Sequence, residues 1–217
     1  MDRLLLADAP GWRSCHGSEL NAPPVQQVLA ERRGENVASD YASVMVPYKG
    51  AASPVESVRL LYAQDGALAV EISFADRTDY IISTSDDIER TCGPITLSGR
   101  FVYVSVDAEG QPLRAYLLDG TRLKCGDLEC SLPRGRTELP IASIEGRTLR
   151  LQKQVPYEVL SDVEYLLIGG TGYDFEEVSD NIIRVRDYPL VTGEAVTLLH
   201  GRTWAQGITA ASNRHAL

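Results

Sequence analysis

The sequence predicts an all-β protein, an antiparallel β-sandwich with few or no helices. Apolar and polar residues alternate with period 2 in segment after segment. Gly- and Asp-containing turn signals separate these segments at roughly 8–12 residues. No long stretch with 3.6-residue spacing stands between them, as a βαβ architecture would require. With 217 residues, 44% apolar and 24% charged, the chain can bury a core without a disulfide or metal staple. The expected organisation is one sandwich domain over 1–217, with a subdomain joint near 132–140 and a small C-terminal β subdomain after it.

The elements follow in chain order. The opening run Leu4-Leu5-Leu6 is broken by Asp8, too short for a signal peptide. By itself the chain therefore reads as cytoplasmic, a reading that carries no weight if a longer protein precedes it. Pro24–Gly34 admits two readings. Val25, Val28 and Leu29 sit at helical spacing between a first-turn proline and a C-capping glycine; alternatively the segment is a strand paired with Tyr41–Tyr48. The strand is taken here. Val58, Leu60 and Tyr62 alternate, and Ala67–Phe74 places Leu68, Val70, Ile72 and Phe74 on one face, which is expected to be the buried one. In Arg100–Asp107, Val102, Val104 and Val106 share one face while Phe101 and Tyr103 lie on the other. A strand apolar on both faces belongs in the middle of a sandwich. The pairs Leu149/Leu151, Ile183/Val185 and Val196/Leu198 repeat the pattern. Asp65-Gly66, Asp119-Gly120, Asp107–Gly110, Glu145-Gly146 and Thr192–Glu194 are turn signals, since Gly and Asp tolerate positive φ. Leu132–Pro140 reads as a surface loop, and Gly169–Tyr173 as a second loop.

Charge narrows the partners. The net charge of −9 repels phosphate backbones and anionic lipid surfaces, so neither nucleic acid nor membrane is expected. No run approaches the ~18 apolar residues of a membrane span. The cations are eighteen Arg against three Lys, a bias that host codon usage explains and that recognition of acidic sugars would also favour.

Catalytic motifs are sparse. Cys15, Cys92, Cys125 and Cys130 match no common zinc spacing, so no metal is expected. Cys125 and Cys130 could pair across a loop or remain reduced, and reduced core thiols are favoured. His16, His200 and His215 lie far apart; His200 reads as a polar strand end, and a Cys15–His16 nucleophilic pair is the weaker alternative to an irregular loop. There is no G-x-S-x-G elbow and no P-loop, so no nucleotide or other cofactor is expected. Asp86/Asp87 and Glu176/Glu177 could be imagined as acid–base pairs, but neighbours on a strand face opposite ways and solvated turns account for them. The aromatic supply is richer. Trp12, Tyr48 and Trp204 could stack sugar rings, with Trp204 in a polar, loop-like run. Arg134 and Arg136 head the densest arginine group, with Arg147 and Arg150, and could meet a uronate; neighbours such as Glu138 and Glu145 could equally neutralise them.

The wording of several segments resembles a known family. Arg32-Arg33-Gly34, then Tyr41–Gly50 (YASVMVPYKG), then Val55–Val58, together with Asp79–Ile82, Leu97–Tyr103 and Leu117–Thr121, resemble the C-terminal β-domain of heparinase II/III-like, alginate-lyase-type polysaccharide lyases. The resemblance covers about residues 10–130, and Val46 departs from it where that family carries an acidic residue before Pro47-Tyr48. It implies an accessory β-sandwich that supports an N-terminal helical catalytic domain and touches uronic-acid polysaccharide, in proteins often periplasmic or secreted. Such lyases remove the proton beside a neutralised carboxylate. The matching motifs are structural, so no catalytic residue is carried over. An independent carbohydrate-binding module is the alternative, and an active lyase or hydrolase a third reading.

Overall fold

The computed structural model describes residues 3–9, 25–31, 33–35, 42–186 and 190–206. The chain divides into two compact units, residues 1–41 and 42–217. In the first, β1 (Arg3–Ala9) and β2 (Val25–Glu31) form an antiparallel pair in which Leu5 faces Leu29 and Leu6 faces Val28. The strand reading of the 24–34 segment holds, but its partner differs from the one expected. The two strands pair in an unbroken seven-residue register from Arg3 with Glu31 to Ala9 with Val25. The expected partner, Tyr41–Tyr48, carries no strand over its described residues 42–48, and Met45 there is 90% exposed.

Over its described residues the second unit is mostly antiparallel sheet, with one helical turn. Its strands are β3 (Val55–Gln64), β4 (Ala67–Phe74), β5 (Arg77–Thr84), β6 (Arg90–Cys92), β7 (Ile95–Asp107), β8 (Pro112–Cys125) and β9 (Leu128–Ser131). There follow β10 (Arg136–Glu145), β11 (Thr148–Leu151), α1 (Tyr157–Leu160), β12 (Val163–Ile168), β13 (Thr171–Tyr173), β14 (Phe175–Ser179), β15 (Ile182–Val185) and β16 (Ala195–Ala205). Ten of these strands form one path, β14-β15-β11-β10-β16-β8-β7-β5-β4-β3, while β6 joins through β7, β9 through β8, and β12, with β13 beside it, through β16.

Most turn signals act where the sequence places them. Asp65 and Gly66 take φ of 51° and 68° between β3 and β4, the left-handed pair that suits the twist of a two-residue hairpin. Gly169 and Gly170 do the same between β12 and β13. Asp107 closes the β7–β8 turn by accepting hydrogen bonds from the Glu109 and Gln111 amides at 3.1 and 2.7 Å. Asp119-Gly120 departs from expectation. It lies inside β8, not in a turn: Asp119 has φ 53°, Gly99 faces Gly120, Ser98 faces Arg122, and Thr121 is the extra residue of a bulge. Bulges bend strands and increase their twist.

That bend turns one ribbon into two layers. Beyond it, β7 and β8 pair with β5 and β16; before it, they pair with β6 and β9. The buried positions of β7 shift from Ile95, Leu97 and Gly99 to Val102, Val104 and Val106 across the kink. Both halves then bury the same core, which includes Ile82, Leu97, Val104, Leu117 and Leu123 and ends in sequence at Leu132. A second core begins at Ile141 and gathers Leu149, Leu166, Phe175, Ile183 and Leu198 from β10–β16. Two more strands serve two partners in turn. β10 pairs with β16 through Pro140 and with β11 from Ile141. β16 pairs with β10 and β12 up to His200 and with β8 from Gly201. The segment 132–140 is therefore only half loop, since Arg136–Pro140 already pairs with β16.

The bend needs glycine for space. A Cβ on Gly120 would lie 2.6 Å from the Gly99 Cα and 2.7 Å from the Ser98 carbonyl oxygen, and one on Gly135 would lie 2.7 Å from the Gly120 nitrogen. Backbone cannot yield as a flexible side-chain tip can. Gly120→Ala is expected to destabilise the protein by about 1–3 kcal/mol or more. Gly172→Ala, whose Cβ would meet only the Leu167 side chain at 3.8 Å, should stay within about 0.5 kcal/mol. Urea titration of both variants compares them directly.

Candidate functional site

Two places concentrate chemistry: a buried polar joint where β8, β10 and β16 meet, and the sheet face that turns away from the first core.

The joint is built by the bend. Asp119, held in the left-handed region, is buried, and its carboxylate accepts two hydrogen bonds from Arg136, one of them 3.0 Å from Nε, with Arg100 Nε 3.6 Å away. A buried carboxylate is tolerable only when paired and hydrogen-bonded. On β16, His200 is 2% exposed. Its Nε2 shares a 2.9 Å hydrogen bond with Thr137 Oγ1, and its amide donates to the Gly135 carbonyl at 2.8 Å. Burial holds its imidazole below the ordinary range, and Arg134 adds to that, while Asp162 and Asp119 pull the other way. Asp162 is itself engaged by Arg202 at 3.1 Å. His200 is thus not a strand end but the middle residue of β16, at the point where its partners change. Buried this deeply and bonded to Thr137, His200 helps to order the joint.

The second place is the outer face of β3, β4, β5, β7, β8 and β16. Residues directly opposite on antiparallel neighbours share a face. The register therefore sets Leu60, Val70, Ile81, Tyr103 and Tyr116 in one row and Leu68 and Phe101 with Leu118 in the next. Phe101 and Tyr116 meet edge to face with centroids 6.3 Å apart. Val70 and Ile72 are buried, the others are half-buried, and toward the β3 edge Val58 and Leu60 are 52% and 58% exposed. An apolar face on the side of the sheet away from its own core, open at an edge strand, is the kind of surface that other protein surfaces use.

The sugar-contact candidates scatter. Trp12 lies outside the described residues. Tyr48 is exposed in the irregular stretch 42–50. Trp204 sits in β16, not in a loop; it faces Ala115 and packs half-buried against the first core. Arg136 is committed to Asp119, and Arg134 lies half-buried close enough to bias His200.

The carboxylate pairs resolve as turn and strand residues. Asp86 receives Arg90 through both oxygens and the Ile88 amide at 3.1 Å. The Arg90 hydrogen bonds, foremost, and that amide hold its carboxyl down to about 2. It stays ionised at any physiological pH and has no proton to give as a general acid. Glu176 and Glu177 are exposed on β14.

Cys92, Cys125 and Cys130 are free and buried, and burial pushes all three thiols up, away from the thiolate form that reacts. Cys15, His16 and His215 fall outside the described residues. Among the described residues no three His, Cys, Asp or Glu converge to hold a metal, and no helix is long and apolar enough to cross a membrane.

No protein-family model matches the chain, and no curated protein matches it. What the molecule does must be argued from these surfaces.

The joint has a pH consequence. The His200 pKa is lowered in the fold relative to about 6.5 in the unfolded chain, so the unfolded state binds the proton better. The stabilisation is fully present above about pH 6.5 and is lost as pH falls toward the folded value. Between pH 7.5 and 5.5 the wild type should lose stability in urea titrations, and His200→Gln should show a visibly flatter dependence over the same window.

Proposed function

We propose that this chain is an accessory β-sandwich domain of a heparinase II/III-like polysaccharide lyase, one that seats a helical catalytic domain and borders its acidic polysaccharide. The observation that carries the reading is the apolar outer face that runs from Tyr116 to the exposed edge at Val58 and Leu60. A sheet with one core needs one apolar face, and this one has two. At about 25 cal/mol per Å² of apolar surface removed from water, covering such a face is strongly favourable, and a rigid neighbouring domain is the occupant the family resemblance supplies. Toward one end of the face a charged pair is already formed, Arg77 with Asp79 at 3.3 Å.

The catalytic chemistry of such a protein would belong to the helical partner and to the cleft between them. This chain would contribute shape and orientation, with Tyr48 and Trp12 as the sugar contacts nearest in sequence to the family-like motifs. The alternative, a free-standing carbohydrate-binding module, would need an aromatic platform of its own.

Reading the natural gene around this sequence for a helical domain, in frame or adjacent, is the first test. With that domain in hand, Leu60→Lys should weaken its association with this chain at least tenfold in a pull-down or calorimetric titration. The same substitution should change the stability of this chain by no more than about 0.5 kcal/mol, since Leu60 is exposed. Unchanged association would refute the assignment of the face.

A further inference from the structure

We propose that the groove between α1 and the β14–β15 turn binds a neutral pyranose ring, stacked on Tyr157 and hydrogen-bonded by Gln154 and Asp180. The inference does not depend on the lyase-like reading, because the groove belongs to the second core and not to the outer sheet face.

Tyr157 is the starting observation. It is 76% exposed, although a buried tyrosine of ordinary packing would hide most of its ring. Its backbone is nonetheless fixed. Val155 before it is buried in the second core, and Val159 and Leu160 after it pack against that core. The Val159 and Ser161 amides donate to the Pro156 and Tyr157 carbonyls at 2.9 and 3.0 Å. A stiff aromatic side chain on an anchored turn loses little entropy when a ligand covers it.

The opposite wall is polar and equally fixed. Asp180 closes the β14–β15 hairpin with φ 49°. Its carbonyl accepts from the Val155 amide at 3.0 Å, and its carboxylate accepts from Gln154 Nε2 at 2.8 Å. The hairpin and the α1 turn are therefore tied together across the groove. A carboxylate offers about four lone-pair positions, so one amide donor leaves acceptors for hydroxyl groups, and the Gln154 amide oxygen supplies another. Val178 and Leu160 line the floor, and the groove encloses about 510 Å³, within the range that small ligands occupy.

These features match one ligand chemistry. A pyranose presents apolar C–H groups on a face, which suit the negative face of an aromatic ring, and hydroxyl groups at its rim, which suit a carboxylate–amide pair. The charge selects among sugars. Asp180 lines the groove, Glu158 follows Tyr157, and the whole chain carries −9, so a uronate carboxylate would be repelled and a neutral ring accepted. This is the aromatic position that sequence reading passed over, because nothing in PYEVL marks the tyrosine as unburied.

The test is a titration of the full chain by calorimetry and amide chemical shifts. The probes are gluco-, manno- and galacto-configured neutral oligosaccharides, with oligouronates of equal length beside them. The expected result is saturable binding of at least one neutral series, with shifts at 154–160 and 178–180. Tyr157→Ala should weaken it at least tenfold and Asp180→Asn several-fold; asparagine tolerates the same positive φ, and an exposed Tyr157 leaves the fold intact when removed. Absence of binding by all three neutral series at millimolar concentration overturns the proposal. So does equal binding by Tyr157→Ala, or stronger binding of the oligouronates. A failed association with a helical domain would leave each of these outcomes unchanged, so this inference and the accessory-domain reading fail separately.

Discussion

Backbone against backbone at Gly99, Gly120 and Gly135 is the contact on which the second unit depends. These residues approach so closely that a methyl group on any of the three would meet main-chain atoms below 3.0 Å. The approach lets the β7–β8 ribbon fold over, with β5 and β16 beside one half and β6 and β9 beside the other. Thr84 secures the crossing by donating to the Gly99 carbonyl at 2.8 Å, and the bulged Thr121 gives its carbonyl to the Leu132 amide at 2.9 Å. These bonds give partners to two carbonyls that the kink takes out of regular pairing.

The polar joint follows from the same geometry. A bulge leaves Asp119 at a positive φ with its side chain inside, and Arg136 and Arg100 answer that charge. β10 begins at Arg136 and β16 crosses beside it, so the ion cluster and His200 sit where the strands of the second core pass into the sheet of the first. Ionic pairing here adds to a register that the apolar pattern of β16 already specifies. A one-residue shift of β16 would exchange the faces of Leu198 and Trp204.

Function attaches to what the two cores leave over. The first core consumes one face of the long sheet and leaves the other, apolar and half-open, for a neighbour. The second core consumes Val155 and Leu160 and leaves Tyr157 standing beside a carboxylate and an amide. These surfaces differ in chemistry as well as in place. One is broad and apolar and suits protein; the other is small, mixed and acidic and suits a neutral polyol.

The period-2 segments and the Asp-Gly and Gly-Gly turns were legible in the sequence, because pleat and positive φ are local properties read from a few consecutive residues. Ala67–Phe74 is a strand over the residues its alternation marks, and the two apolar faces of Arg100–Asp107 are both real. The continuation of the Val196/Leu198 strand past His200 to Trp204, and the one-turn helix that presents Tyr157, were not legible. Nor was the role of Asp119-Gly120, which has the letters of a hairpin turn and the position of a bulge. The chain by itself decided that strands form and where most of them turn, since each strand's own side-chain pattern carries that information. Only the tertiary structure decided which strands serve two sheets and which residues the two cores leave exposed. Both depend on close approaches between residues far apart in sequence, and no window of neighbouring residues contains them.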